Sequence, residues 1–206
     1  MTPKSLPRPS YDFIGGNICL DFVNTVGGLR GQVSKEYIND YADLVDWALQ
    51  AKVISVDTAE ALRRAASSQA KDAHRAFVAA LAVREAIYDI FSAVAGSNAV
   101  PAESLAIING EILGALGHMR LTAERKKFEW RLATDVLDLK LPIWAVARAT
   151  LELLTSDQLD RVRECSGDLC GWLFLDTTRN HSRLWCDMRG CGNRAKVRRH
   201  RERLNN

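Results

Sequence analysis

The sequence of 206 residues contains no long apolar run. No stretch reaches the roughly 18 consecutive apolar residues of a membrane-spanning helix, so no membrane association is expected. Residues 1–10 hold three prolines and two basic residues but no apolar stretch, which predicts a flexible leader rather than a secretory signal. We therefore expect a cytoplasmic protein. With 47% hydrophobic and 26% charged residues, the chain is typical of a folded globular domain with a small appended module.

Patterns that indicate catalysis are missing as well. The sequence has no glycine-rich phosphate-binding loop and no grouping of serine, histidine and aspartate that would activate a nucleophile. His74 and His118 are isolated along the chain. We therefore predict no catalytic residues and do not expect an enzyme.

Cysteine is scarce but concentrated. Four of the five cysteines form two Cys-x4-Cys pairs separated by fifteen residues, at Cys165, Cys170, Cys186 and Cys191. In a chain without a secretory signal, clustered cysteines indicate metal ligands before disulfides. Four thiolates close a tetrahedral shell around Zn²⁺ and leave no position for substrate, so the pattern predicts one structural zinc ion. A four-sulfur iron site and buried or redox-active thiols are the alternatives, with His181 and His200 as spare ligands.

The residues around the cysteines predict how this module folds. Residues 171–175 are an apolar strand, residues 176–181 a polar turn and residues 182–185 a returning segment, which places both cysteine pairs at the open ends of one hairpin. Cys191 would then ligate from the first turn of a helix. A segment of about forty residues buries too little apolar surface to fold alone, so metal binding would supply the missing free energy. We expect a treble-clef-like zinc module.

Charge is distributed unevenly. Residues 161–206 carry a net charge of +6, whereas the rest of the chain carries −3. A helix over residues 194–204 holds most of these bases, and its like charges repel one another unless a polyanion neutralises them. The predicted nucleic-acid contacts are Arg189, Arg194, Lys196, Arg198, Arg199, His200, Arg201 and Arg203. DNA is the expected partner, with RNA left open, and the alternatives are a solvated tail or a protein or membrane surface.

The preceding residues predict a mostly helical body. Apolar positions spaced by three and four indicate helices over residues 37–52, from the capping residue Asp57 to residue 94 with a break near residues 67–68, over 101–116 and from Pro142 to residue 154. Alternation over residues 119–132 predicts a β-hairpin with one buried face. The segment 17–26 favours a short buried helix but also permits a strand. The fold class is thus α+β, a predominantly helical body with a β-hairpin, followed by the zinc module and its basic helix.

One polar cluster lies within the segment 17–26. On a helix, Asp21, Asn24 and Thr25 share one side and could line a ligand pocket. Capping and turn support are the commoner roles of these residue types, and we favour them here. Cys19 is interpreted as a small buried apolar residue, because a redox sensor would need exposure and a lowered pKa.

Two segments resemble known families. Trp185-Cys-x4-Cys-Gly-Asn-Arg-Ala-Lys196, preceded by Cys-x4-Cys-Gly-Trp-Leu-Phe-Leu-Asp176 and by Arg179-Asn180, resembles the CGNR zinc finger, named for Cys191-Gly192-Asn193-Arg194. Cys19-Leu-Asp-Phe-Val-Asn-Thr25 is similar to the signature of the ABATE domain, which precedes that finger in bacterial stress-induced transcription regulators. Together the resemblances span nearly the whole chain.

The resemblance implies an ABATE-like body over residues 11–158 and a CGNR-type finger over residues 159–206. It further implies a DNA-binding transcription regulator whose body senses a small-molecule effector or a partner. The alternative is an enzyme or small-molecule-binding protein in which the zinc module only braces the fold. A homodimer would suit a regulator that reads two half-sites, although no coiled-coil heptad is evident.

Overall fold

The computed structural model describes residues 10–32, 35–124, 127–133 and 137–204, so the predicted leader lies almost entirely outside the described residues. The helices are α1 (Ile18–Val23), α2 (Tyr41–Gln50), α3 (Val56–Ser68), α4 (Ala70–Ala95), α5 (Ala102–Gly117), α6 (Leu141–Leu154) and α7 (Asn193–Leu204). The strands are β1 (Val26–Gly27), β2 (Lys35–Glu36), β3 (Met119–Glu124), β4 (Lys127–Leu132), β5 (Val162–Glu164) and β6 (Leu173–Leu175). Each sheet is an antiparallel pair: β1 with β2, β3 with β4 and β5 with β6. The predicted α+β class is confirmed.

Helix α1 lies at the centre of the body. The Asn17 side chain caps it by accepting a hydrogen bond from the backbone N–H of Cys19, which satisfies one of the free donors at the helix start. Five of its six residues are buried, and it contacts α4, α6 and β6. Residues 18–23 are therefore helical, Asn24 is the C-cap, and the segment ends at Val26 in β1.

The surrounding helices follow the predicted pattern with one correction. The break near residues 67–68 is confirmed, because α3 ends at Ser68 and α4 continues from Ala70. The predicted cap at Asp57 is wrong. Ser55 caps α3 instead, since its hydroxyl oxygen accepts from the backbone N–H of Thr58 at 3.1 Å. Asp57 lies in the first turn, where a carboxylate still favours the helix dipole.

The hairpin of β3 and β4 is present, but its predicted buried face is wrong. Of the alternating apolar side chains, Met119 is buried at the base, while Leu121, Phe128 and Trp130 are 63%, 70% and 52% exposed. Trp130 and Leu132 border an open cleft that they share with residues 52–55 and α6, and the rest of the apolar face is left to solvent. Alternation revealed a hairpin with an apolar face, but not whether another element covers that face.

The zinc-module strands are built into the body. Leu173 and Leu175 on β6, together with Val162 on β5, join the main hydrophobic core, whereas Phe174 packs among the four cysteines. The predicted partner of residues 171–175 is wrong, because β6 pairs with Val162–Glu164. Asp176 turns the chain away after β6: its carboxylate accepts from the backbone N–H groups of Thr178 and Arg183. Residues 182–185 consequently form no strand.

Throughout the four described ranges, no helix is both long enough and apolar enough to cross a membrane.

Candidate metal centre and basic surface

The four cysteines from the two pairs converge on one point. Cys165 and Cys170 lie in the loop that joins β5 to β6. Cys186 precedes a π-helical turn, Met188–Gly192, which contains Cys191 and leads directly into α7. Their four sulfur atoms lie within 4.8 Å of one another, and all four side chains are buried and free of disulfides. The two cysteine pairs, fifteen residues apart in sequence, thus form one compact cluster of four sulfur atoms, which we call the sulfur cage.

The dimensions of the cage suit zinc. Zn–S bonds of about 2.3 Å in a tetrahedron place the sulfurs about 3.8 Å apart. The Sγ atoms of Cys170 and Cys186 lie 3.7 Å apart, and so do those of Cys186 and Cys191. Four protein ligands complete the shell, so the ion is structural and offers no open position to a substrate.

Electrostatics explain why the cage needs a cation. Hydrogen bonds from Cys170 and Cys186 lower the pKa of Cys165 to about 2, so one thiolate forms readily. The hydrogen bond with this thiolate raises the pKa of Cys170 to about 12, and bonds with Cys165 and Cys170 raise the pKa of Cys186 as well. Neighbouring thiolates therefore oppose one another, and a divalent cation is what allows all four to ionise together.

The four residues of the Cys-Gly-Asn-Arg sequence each serve the cage. Cys191 supplies a sulfur. Gly192 leaves room for the Met188 thioether, which would lie 3.0 Å from a β-carbon at that position. The Asn193 side-chain amide donates to the carbonyl of Arg189 at 3.1 Å and closes the turn. The Arg194 guanidinium donates to the Cys191 sulfur at 3.0 Å, which offsets the excess negative charge of a four-thiolate shell.

Helix α7 leaves the cage with its charge exposed. Ala195 is its one buried residue within the described chain, and the side chains from Lys196 to Leu204 all face solvent. Of the predicted contacts, Arg189, Arg194, Arg198 and Arg201 line one shallow groove, together with Val197. Lys196, Arg199, His200 and Arg203 lie on the remaining exposed surface of the helix. These eight residues form what we call the basic surface.

The basic side chains of this surface differ in whether an ion pair or an aromatic ring already engages their charge. Arg198 forms ion pairs with Asp168 and Glu202, and Arg199 lies 5.9 Å from the ring centroid of Trp185. Arg189, Lys196, Arg201 and Arg203 have no ion-pair partner among the residues that the structure describes. Their charge is therefore the part of the surface most available to an external anion.

The predicted polar cluster joins body and finger. Asn24 donates from its amide nitrogen to the Leu173 carbonyl at 2.8 Å and accepts from the Leu173 N–H at 3.0 Å. Thr25 donates to the Phe22 carbonyl at 2.7 Å. Trp172 strengthens the same junction, because its indole N–H donates to the Val26 carbonyl at 2.7 Å.

Asp21, the third member, is buried beside this junction. It accepts from the Gly15 N–H at 2.7 Å, yet burial raises its pKa to about 6. The three residues line a cavity of only about 20 Å³, room for about one water. That cavity adjoins a larger cleft of about 330 Å³ between the body and the zinc cage, and both are lined by Asp12, Tyr37 and Trp172. A ligand role for Asp21, Asn24 and Thr25 stays a prediction.

Cys19 lies apart from the metal centre. It is fully buried, and desolvation raises the pKa of its thiol, which holds it in the neutral form. Its interpretation as a packing residue is confirmed.

Sequence reasoning missed two positions that shape the finger. Asp176 is fully buried and organises the turn after β6, and Asn193 closes the turn before α7. Asp176 followed by two threonines is a typical side-chain-to-backbone turn signal, so its role could have been found. The hydrogen-bond partner of the Asn193 side chain is the Arg189 carbonyl in a π-helical turn, and no local sequence pattern predicts such a turn.

The fold and the sulfur cage together define a zinc-finger protein with a helical body. Residues 16–157 match the ABATE family, described as "Putative stress-induced transcription regulator", and residues 161–204 match the CGNR zinc finger. The first match covers well over half of the chain, and the chain belongs to the ABATE family. It binds one structural zinc ion, as the finger family and the cage geometry both require. No curated protein matches this chain.

Proposed function

We propose that this protein is a DNA-binding transcription regulator in which the zinc cage orients α7 toward the phosphate backbone. The observation that carries the proposal is the projection of α7: beyond Ala195 its side chains are all exposed, and they carry the basic surface. A helix packed on the body would have supported a bracing role for the finger instead. Membership in a family of regulators supports the same reading.

The contacts of the helix suggest how DNA would bind. Arg201 and Arg203 are exposed near the C-terminal end of α7, where they would neutralise phosphates and release counterions. Val197, which is 50% exposed between arginines of the shallow groove, offers an apolar contact of the kind that reads a thymine methyl group. Arg194 is already engaged with a zinc-ligand sulfur, so its main contribution is to hold the helix in place.

The body is proposed to sense an effector at the cleft beside the cage. This cleft of about 330 Å³ is of a size that suits a small ligand. Its walls include Tyr37 and Trp172 from the junction, Asp12 from the N-terminal segment and Arg194 from the first turn of α7. An occupant would therefore touch both the body and the base of the basic helix, which is the contact that a one-component regulator needs.

A second candidate is a small-molecule-binding protein or enzyme that uses the zinc module only as a brace. It is favoured by the way β6 enters the body core, because Leu173 and Leu175 pack there rather than in a separate finger. In this case the cleft would hold the substrate or ligand, and the basic surface would serve solubility.

Anisotropy titration of labelled duplex DNA with the zinc-loaded protein, repeated over a salt series, tests the proposal. We expect log affinity to fall steeply with log salt, with a slope of several units set by the number of phosphate contacts. Absence of binding at low salt would leave the bracing role as the better account. Substituting single-stranded RNA of equal length in the same titration distinguishes the nucleic acid.

A further inference from the structure

The outer face of α5 carries almost no charge. The exposed residues of this helix are Ala102, Glu103, Leu105, Ala106, Asn109, Gly110, Leu113, Leu116 and Gly117. Leu105, Leu113 and Leu116 are 39%, 72% and 46% exposed. By contrast, the exposed faces of α3 and α4 carry ion pairs, such as Arg64 with Glu60 and Arg75 with Asp72.

The opposite face of α5 is fully used within the fold. Ile108 and Ala115 lie in the main core, and Gly114 packs so closely on Trp144 that a β-carbon there would lie 2.9 Å from its indole nitrogen. Ser104 donates to Asp89, and Glu111 pairs with Lys140 at 2.7 Å. A helix that is apolar all round is normally buried on all sides, so we expect another protein surface to pack against the outer face of α5.

We propose that α5 pairs with α5 of a second copy of this chain in a symmetric antiparallel arrangement. Ala102, Ala106, Asn109, Leu113 and Leu116 follow one another at alternating steps of four and three, the spacing by which one helix packs along another. The stripe covers about four turns, or about 21 Å. Such a helix pair is independent of whether the basic surface binds DNA.

The order of residues along the stripe favours a second copy as the occupant. Asn109 lies midway between Ala102 and Leu116, so a twofold axis beside it pairs residues at equal distances on either side of position 109. Ala102 then faces Leu116 of the second copy, and Leu105 faces Leu113 of the second copy. The Asn109 side chain forms no hydrogen bond within the described chain, and at the axis it meets its own symmetry mate, as paired asparagines do in helix dimers.

Charge at the two ends of α5 is complementary in the same arrangement. Glu103 lies in the first turn, whereas exposed Arg120 binds the Gly117 and Met119 carbonyls just past the last turn. Antiparallel pairing brings Glu103 of one copy toward Arg120 of the other, while parallel pairing sets like charges together. Two faces of this length approach the roughly 1,000 Å² of a specific interface, so we expect a dimer that dissociates on dilution.

Sedimentation velocity of the zinc-loaded full chain at increasing concentration tests the pairing. We expect a monomer–dimer equilibrium that Leu113→Glu weakens by roughly thirtyfold or more, as a central contact residue does. Leu113 is 72% exposed, so the charge does not disturb the monomer, and an unchanged unfolding midpoint checks this. Leu121→Glu is the matched control, since this 63% exposed leucine lies on the hairpin and should leave the dimer intact. A monomer at every concentration, or a dimer that Leu121→Glu rather than Leu113→Glu disrupts, would overturn the proposal.

Cysteine cross-linking tests the antiparallel register separately. Asn109→Cys should form an intermolecular disulfide under mild oxidation because the two positions meet at the axis. Ala102→Cys should not, since its symmetry mate lies about 21 Å away along the helix. Wild-type protein is the baseline, because its own five cysteines are all buried. Equal cross-linking of both variants would indicate a parallel pair and refute the arrangement.

Discussion

Asn24 and Leu173 are 149 residues apart in sequence, yet two hydrogen bonds join the side-chain amide of Asn24 to the backbone of Leu173 across the junction of body and finger. The Asn24 side chain satisfies both the N–H and the carbonyl of a residue in β6. In effect it takes the place of a neighbouring strand at this position. The junction is therefore specified by polar geometry as well as by apolar packing.

Removing this amide should be costly. Asn24→Ala leaves two buried backbone groups of Leu173 without partners, and we expect a loss of about 2–5 kcal/mol in the free energy of unfolding. Asn24→Asp should lose at least as much, because a carboxylate would face the Leu173 carbonyl. Urea unfolding of the zinc-loaded variants measures both. Asn39→Ala, which removes an exposed asparagine bonded to Asp43, is the control and should change stability by less than about 1 kcal/mol.

Loss of one cage sulfur should release the metal. Cys186→Ser is expected to purify without zinc, whereas wild-type protein carries one zinc per chain, as metal analysis will measure. Sequence reasoning alone predicts a protease-sensitive tail and an intact body. Because Leu173 and Leu175 belong to the body core, we now expect new cleavage sites to begin beyond Asp176 and the body to be destabilised as well. Cys19→Ala is the control, since it removes a buried thiol outside the cage and should retain zinc.

The unpaired bases of α7 should dominate the salt dependence of DNA binding. Arg201→Ala with Arg203→Ala is expected to lower the slope of log affinity against log salt by about two units, roughly one for each lost phosphate contact. Arg64→Ala with Arg75→Ala removes the same charge from exposed positions on α3 and α4 and serves as the control. A slope that changes equally in both double variants would indicate a general charge effect instead of a contact surface.

Asp21 should make stability depend on pH in an unusual direction. Burial raises its pKa to about 6 in the folded protein, above the value of 3.8 for an unperturbed carboxyl group. The folded state therefore holds the proton more tightly, and this group's contribution to stability falls as pH rises from about 4 to 6, then levels off. Asp21→Asn keeps an oxygen acceptor for the Gly15 N–H but cannot ionise. Relative to wild type, the unfolding midpoint of this variant should rise from pH 5 to about pH 6 and then level off, with both proteins zinc-loaded, and a constant difference would contradict the assignment.

Local chemistry explains which features the sequence could predict. Cysteine pairs at matched spacing require a shared ion whatever the rest of the chain does, so the cage followed from four residues. The helix-to-helix break after Ser68 and the helix end before Gly96 also depend on residues close in sequence. The choice between helix and strand for Cys19 to Thr25 was decided by Asn17, whose side chain caps the helix.

The errors have two origins: the cap at Ser55 and the turn at Asp176 rest on local signals that were not used, whereas the others depend on distant residues. Alternation in β4 shows an apolar face, but the exposure of Phe128 reflects the absence of a neighbouring element among the described residues. The partner of β6 was misassigned since Asp176, by bonding the Arg183 N–H, makes a compact turn in place of a returning strand. Likewise, nothing near Asn24 indicates that its partner is Leu173.

The three residues of β6 send alternate side chains into two different cores, Leu173 and Leu175 into the body and Phe174 into the sulfur cage. Metal occupancy and body stability are then thermodynamically linked. Zinc bound at the cage stabilises the body by mass action, and any effector that tightens the body must raise zinc affinity by the same factor that zinc raises the effector's. A change of zinc supply would thus change the stability of the body as well as that of the finger.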